Sequence, residues 1–220
     1  FPIDDQRRSG FLFPTLESSS QMGLDVTTPY YLNLAPNYDA LITPRFTELG
    51  GSSINTKYRY LGHKIDQELE IDLAIDDFNK KEDKNRWLLQ YNNEAKITDQ
   101  FTSSIEVKLI SDFELLDDYG LAHESTEKTS IVSKAKLDYQ GKTPILETAS
   151  LAMISRQNRG TEVPAYNQLP HLFLSGGGAI NPAINTDYFL DITHFIRDTE
   201  ALTGSNKITG IRTHLVPSFS

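Results

Sequence analysis

From Leu24 the apolar and amphipathic residues fall on every second position. Leu24, Val26, Thr28, Tyr30, Leu32 and Leu34 share one parity, with Asp25, Thr27 and Asn33 between them. A period of two puts each parity on its own face of a pleated strand, and a helix of 3.6 residues per turn cannot satisfy it. The pattern recurs. Ile54, Thr56, Tyr58 and Tyr60 alternate with Asn55, Lys57 and Arg59, and Leu69, Ile71, Leu73 and Ile75 with Glu68, Glu70, Asp72 and Ala74. Trp87, Leu89 and Tyr91 follow, then Ile105, Val107 and Leu109 against Glu106 and Lys108. Ile131, Ala135, Leu137 and Tyr139 oppose Lys134 and Lys136, while Tyr188, Leu190 and Ile192 alternate with Asp187 and Asp191. Ile211, Thr213 and Leu215 complete the series against Arg212 and His214. Roughly a dozen antiparallel strands are expected, each with one apolar and one strongly charged face. Turns are expected at Asn37-Tyr38-Asp39, Gly50-Gly51-Ser52, Thr98-Asp99-Gln100 and Gln140-Gly141. Asp76 to Asn85, Asp112 to Glu127 and Arg156 to Gln168 read as longer polar connections.

Two all-β architectures fit this pattern. A soluble β-sandwich alternates, with strands of about 5–6 residues. A membrane β-barrel alternates too, with strands of about 9–11 residues, and runs such as Leu24 to Ala35 suit that length. No stretch approaches the roughly 18 consecutive apolar residues of a membrane helix. The charged parities, Glu68, Glu70, Asp72, Lys134 and Lys136, suit a water-filled lumen as well as they suit solvent. Trp87 and the tyrosines lie near strand ends, where an interfacial girdle would put them.

Chemistry leaves few marks. The net charge is -9, which provides no electrostatic footprint for nucleic acid. With no cysteine, thiolate zinc sites, disulfides and cysteine nucleophiles are excluded. His63, His123, His171, His194 and His214 are scattered, without the spacing of a zinc hydrolase. Gly176-Gly177-Gly178 lacks the Gly-Lys-Ser/Thr of a phosphate loop and reads as a flexible turn. No Gly-x-Ser-x-Gly elbow is present. Glu68, Glu70 and Asp72 lie on one strand face, and Asp117 with Asp118 in an acidic connection, but neither spacing specifies a glycosidase pair or a calcium loop. No catalytic residue, metal ligand or cofactor is assigned.

The prolines say more. Proline cannot donate to a ladder and is confined to edges and bulges. Yet Pro14 interrupts Phe11-Leu12-Phe13-Pro14-Thr15-Leu16, and Pro29 interrupts the alternation from Leu24 to Leu34. Both fall in the first two candidate strands, which reads either as an ordinary edge or as a seam able to part.

Several motifs resemble one family. Arg7-Arg8-Ser9-Gly10-Phe11-Leu12-Phe13-Pro14, Pro29-Tyr30-Tyr31-Leu32-Asn33-Leu34-Ala35-Pro36-Asn37-Tyr38-Asp39 and Thr43-Pro44-Arg45 look like the start of the barrel domain of the LptD, or organic solvent tolerance, family. Tyr58-Arg59-Tyr60-Leu61, Arg86-Trp87, Ser111-Asp112-Phe113, Leu169-Pro170 and Arg212-Thr213-His214-Leu215-Val216-Pro217-Ser218 extend the resemblance over nearly the whole chain. It implies an all-β, antiparallel transmembrane β-barrel of about 26 strands, of which residues 1–220 would form the N-terminal portion. A periplasmic jelly roll would precede Phe1 and further strands would follow Ser220. It also implies a non-enzymatic role: insertion of lipopolysaccharide into the outer leaflet of a Gram-negative outer membrane, through a polar lumen and a lateral gate. Pro14 and Pro29 match the gate prolines, and Glu68, Glu70, Asp72, Lys134 and Lys136 become candidates for the lumen. The implied partners are lipopolysaccharide, an LptE-like plug lipoprotein, the periplasmic Lpt bridge reached through the jelly roll, and outer-membrane lipid, with no nucleic acid. The runner-up from the residues alone is a soluble β-sandwich that binds carbohydrate or processes glycosides.

Overall fold

A computed structural model describes residues 7–20, 22–77, 85–119, 130–159, 165–181, 184–197 and 209–219. Four short strands come first: β1 (Gly10–Phe11), β2 (Thr15–Ser19), β3 (Gly23–Thr27) and β4 (Tyr30–Ala35). Ten long strands follow: β5 (Tyr38–Thr47), β6 (Gly51–Leu61), β7 (Ile65–Asp77), β8 (Trp87–Lys96), β9 (Phe101–Ile110), β10 (Ser130–Thr143), β11 (Leu146–Asn158), β12 (Asn167–Asn181), β13 (Ile184–Ile196) and β14 (Gly210–Phe219). A single short helix, α1 (Glu114–Tyr119), interrupts them among the described residues. The strand order is β1-β4-β5 and then sequential to β14, with β2 on β3 and β3 on β5.

Strand length separates the two architectures. From β5 to β14 each strand has between 10 residues, as in β5, and 15, as in β12. That is enough to cross a hydrocarbon layer and about twice what a sandwich needs.

The contacts divide the chain into two compact units. Residues 1–92 and 108–128 form unit 1, and residues 93–107 and 129–220 form unit 2. In unit 1, Val26, Phe46 and Leu73 lie on one parity, and Asp25, Arg45 and Asp72 on the other. Register partners carry this across β5, β6 and β7: Pro44 faces Ile54, which faces Leu73, while Asp39 faces Arg59, which faces Glu68. In unit 2 the row Leu137, Leu151, Leu172 and Ile192 runs across β10 to β13 on the apolar parity.

Burial does not simply follow polarity. Large apolar side chains on the apolar parity are open, with Phe46 58% and Leu215 59% exposed. On the opposite parity Asp39 is 6% and Thr193 1% exposed. Removing one such apolar side chain from water is worth about 1.5–3 kcal/mol, so a series of open ones along one parity fits a lipid surround better than water. Among the described residues no helix is long and apolar enough to cross a membrane.

Several boundaries differ from expectation. The run from Leu24 to Ala35 is two segments, because Thr28 and Pro29 fall outside regular strand. Tyr38 and Asp39 begin β5, leaving Pro36 and Asn37 as the turn. Gln140 and Gly141 lie inside β10, and the turn comes at Pro144 and Ile145. Gly176, Gly177 and Gly178 are not a flexible turn but part of β12, paired with Tyr188, Asp187 and Thr186. For Gly176 and Gly177 the reason is close approach: a Cβ on Gly176 would meet the Ile145 carbonyl oxygen, and one on Gly177 the Thr186 carbonyl oxygen. Gly177 donates its N–H to the Pro144 carbonyl at 2.5 Å, and the Tyr188 hydroxyl donates to Ile145 O at 2.6 Å. The β10–β11 turn is thus laid over β12 and β13, and Gly141 makes room on its own side, where a Cβ would lie 1.8 Å from Leu146 O. Residues 78–84, most of the connection expected at Asp76 to Asn85, lie outside the described residues.

Candidate functional site

The first strands carry an interrupted ladder. Phe11 pairs with Tyr30, and the next pair is Thr15 with Thr27. Three residues, Leu12, Phe13 and Pro14, therefore face only two, Thr28 and Pro29, so one extra residue lies in the link between β1 and β2. Against β5 the register is unbroken: Thr27 faces Arg45 and Tyr30 faces Ile42. Leu12 donates its N–H to Pro29 O at 2.8 Å, and Thr28 donates to Pro44 O at 3.1 Å. Closely paired antiparallel residues normally exchange two bonds. Neither return bond can form, because Pro29 and Pro44 have no N–H. Both sequence-assigned prolines thus fall at breaks between short strands, and Pro44, inside β5, is a third residue there without a donor.

Next to this seam the polar parity of unit 1 is a ladder of ion pairs. Arg45 meets Asp25 through Nε at 3.1 Å to Oδ1 and Nη2 at 2.6 Å to Oδ2. Arg59 grips Asp39 with Nε–Oδ1 at 2.8 Å and Nη2–Oδ2 at 2.9 Å, and the Tyr31 hydroxyl donates to the same carboxylate at 3.1 Å. Lys57 Nζ stands 2.7 Å from Glu68 and 3.6 Å from Glu70. Asn55 Nδ2 donates to Glu70 Oε1 and to Asp72 Oδ1, both at 2.8 Å. A cavity of about 270 Å³ opens beside this row, reached by Glu17, Asp25, Arg45, Asn55 and Asp72 and closed on one side by Leu115 of α1.

The helix is fixed from its N-terminus. Asp112 caps it by accepting the Leu115 N–H at 2.9 Å, and Glu114 and Asp117 sit in its first turn, where the helix dipole favours anions. Arg86, its side chain only 8% exposed, binds Asp112 through Nη2–Oδ1 at 2.8 Å and Nε–Oδ2 at 3.1 Å, and reaches Asp118 at 2.8 Å. Burial pushes the Asp112 carboxyl up, but hydrogen bonds from Arg86, Ser111 and the Leu115 N–H, with the Arg86 charge, hold it below its ordinary value. Phe113, Leu115 and Leu116 are buried.

In unit 2 the polar parity includes Lys134, 3.7 Å from Glu106, and Lys136, 2.8 Å from Asp138. Further along, His171 Nε2 and Asp191 Oδ2 are 2.8 Å apart, Thr193 Oγ1 donates to Asp191 Oδ1 at 3.1 Å, and Arg212 Nη2 lies 3.5 Å from the same oxygen. All five charged candidates from the sequence, Glu68, Glu70, Asp72, Lys134 and Lys136, therefore share the polar parity of their strands. The first three meet through Lys57 and Asn55 in unit 1; the two lysines belong to unit 2 and join other acids. Sequence reading missed Asn55, Lys57, the arginines and their acidic partners. Cross-strand register was the needed signal. Among the described residues no group of three or more histidine and acidic side chains is arranged to hold a metal ion.

Long antiparallel strands, an open apolar parity and an ion-paired opposite parity define the wall of a transmembrane β-barrel. Residues 84–220 match the family model for LPS transport system D. The chain belongs to this family, LptD. It is 32% identical to the LPS-assembly protein LptD of Marinobacter nauticus, over all of this chain and 28% of that protein. It is 31% identical to the protein of the same name from Pseudomonas aeruginosa, covering 26% of it, and 30% identical to that of Alcanivorax borkumensis, covering 29%. The chain thus spans little more than a quarter of the relatives it matches.

Proposed function

We propose that residues 1–220 form the N-terminal portion of an outer-membrane barrel that delivers lipopolysaccharide to the outer leaflet of a Gram-negative bacterium. Its role is transport and assembly, not catalysis. The polar parity, with Glu68, Glu70, Asp72, Lys134 and Lys136, lines a hydrated lumen that accepts the sugars, while the apolar parity meets outer-membrane lipid. Acyl chains leave sideways through a gate whose wall is the strand pair broken at Pro14 and Pro29. An LptE-like lipoprotein plugs the lumen, and a periplasmic jelly roll joins the barrel to the Lpt bridge.

The observation that carries this reading is the gap between the Phe11–Tyr30 and Thr15–Thr27 pairs, where the Leu12 N–H reaches Pro29 O and proline has no N–H to return. Barrels otherwise lack a free edge. Each absent ladder bond is worth about 0.5–1.5 kcal/mol, so two or three lower the cost of parting these strands without unfolding the wall. The test is to replace Pro14 and Pro29 by valine in the full-length protein and follow newly made lipopolysaccharide at the cell surface. Export should slow while the barrel still folds. Unchanged export would remove the gate assignment.

A further inference from the structure

The polar parity of β13 carries a second pattern that ion pairing does not explain. Phe189, Asp191, Thr193 and Phe195 follow one another on this face, and Arg197 continues their parity beyond the strand. The two phenylalanines are not isolated. Phe189 stacks on Phe173 of β12, ring centroids 6.3 Å apart and planes inclined by 27°, and meets the His214 ring edge-on at 5.2 Å. Phe195 meets Tyr166 edge-on at 5.9 Å, with the Arg212 guanidinium 5.4 Å from its own ring. Between these aromatic groups lies the polar set of His171, Asp191, Thr193 and Arg212.

Phenylalanines on the polar parity of a charged sheet need a reason, since they gain nothing there from lipid. Phe173, Phe189 and Phe195 are all half-buried, with ring surface still accessible. The Arg197 guanidinium lies 4.0 Å over the Tyr166 ring, and its buried Nε has no hydrogen-bond partner among the described residues. Apolar discs thus alternate with donors and acceptors over the seven residues from Phe189 to Phe195, about 20 Å of strand.

We infer that this face is a contact track for an oligosaccharide chain. A pyranose presents C–H faces, which the negative face of an aromatic ring attracts, and a rim of hydroxyls, which carboxylate, imidazole and guanidinium groups bind. Repetition of ring, polar group, ring along one strand matches the repetition of sugar residues. A bound polypeptide would call for a continuous apolar centre, which the charged group at Asp191 interrupts. The inference rests on the transport reading above and adds where the sugars touch the wall.

The test puts photoreactive benzoylphenylalanine at position 189 of the full-length membrane protein in cells. Leu190, on the opposite parity, and Asn55, on the polar parity of unit 1, serve as comparison positions. Saccharide-containing adducts at 189 should exceed those at 190 at least about fivefold. Adducts at 55 without any at 189 would overturn the track and leave the transport reading standing; none at either would remove both. Polypeptide adducts alone at 189 would overturn it in favour of a protein contact. In a second measurement, oligosaccharide released from lipopolysaccharide by mild acid is titrated into purified full-length protein. Phe189→Leu should weaken binding about fivefold and Phe189→Tyr should retain it within about twofold, with heat-modifiable gel mobility reporting that each variant is folded. Equal binding by Phe189→Leu and the unaltered protein would overturn the proposal.

Discussion

Thr28 and Pro44 share one hydrogen bond where an antiparallel pair ordinarily has two: Thr28 N–H reaches Pro44 O at 3.1 Å, and Pro44 has nothing to return. The weakness therefore extends one strand past the two prolines that the alternation reveals. Pro44→Val supplies the missing donor and should stabilise the β3–β5 junction by about 0.5–1.5 kcal/mol. The check is amide exchange: a protected N–H at position 44 of the variant supports this account, and one that exchanges freely contradicts it.

Arg86 is the clasp of α1. Replacing it by methionine leaves Asp112 and Asp118 without their shared cation; both carboxylates keep some solvent, 30% and 31% exposed, so the loss should be about 1–3 kcal/mol. The bond from Asp112 to the Leu115 N–H survives, so the helix turn can persist while its docking fails. Limited proteolysis across Phe113 to Leu116 should quicken sharply in the variant. Equal rates would show that apolar packing alone holds the segment.

The same clasp is sensitive to acid. The Asp112 carboxyl is held below its ordinary value of 3.8, with burial opposing and the Arg86 and Ser111 bonds prevailing. A folded-state value depressed in this way adds stability in full above the unfolded value, and that contribution drains away as pH falls through the lower, folded one. Protection of the Leu115 and Leu116 amides should be constant near neutrality and decline only in acid below 3.8. In Asp112→Asn the acid-dependent step should vanish.

Asn55 separates two carboxylates by donating to both Glu70 and Asp72. Asn55→Leu removes both donors and leaves the acids side by side, with Lys57 still near Glu70. A loss of about 1–3 kcal/mol is expected, read as a lower urea midpoint for the folded barrel. Asn55→Gln should recover part of the loss.

Gly176 lies beneath the Ile145 carbonyl, where a Cβ would approach to 2.2 Å. Gly176→Val should expel the β10–β11 turn from β12 and lower the folded fraction in heat-modifiability gels. Gly210→Val, at a position with nothing within 4 Å of an added Cβ, is the control and should fold normally.

Strand number, parity and the positions of Pro14 and Pro29 were legible because each depends on residues adjacent in sequence. Glu68, Glu70 and Asp72 announced a charged face in the same way. Their partners did not, since Lys57 meets Glu70 and Arg59 meets Asp39 only once the register between strands is set. Pro44 entered only as part of Thr43-Pro44-Arg45, because the strand from Tyr38 to Thr47 was not among the alternating runs read from sequence. Gly176 and Gly177 were misread for a related reason. Glycine marks both loose chain and tight approach, and only the neighbouring turn at Pro144 distinguishes them.

That turn has a consequence for how the sheet comes into being. The corner of the β10–β11 hairpin is tied down by Gly177 and Tyr188, which belong to later segments of the chain. A truncation ahead of β12 would remove more than the strands it deletes; it would also leave the preceding corner loose. The β10–β11 ladder runs to Thr143 and Leu146 by itself, so what the later strands add is the anchoring of its corner.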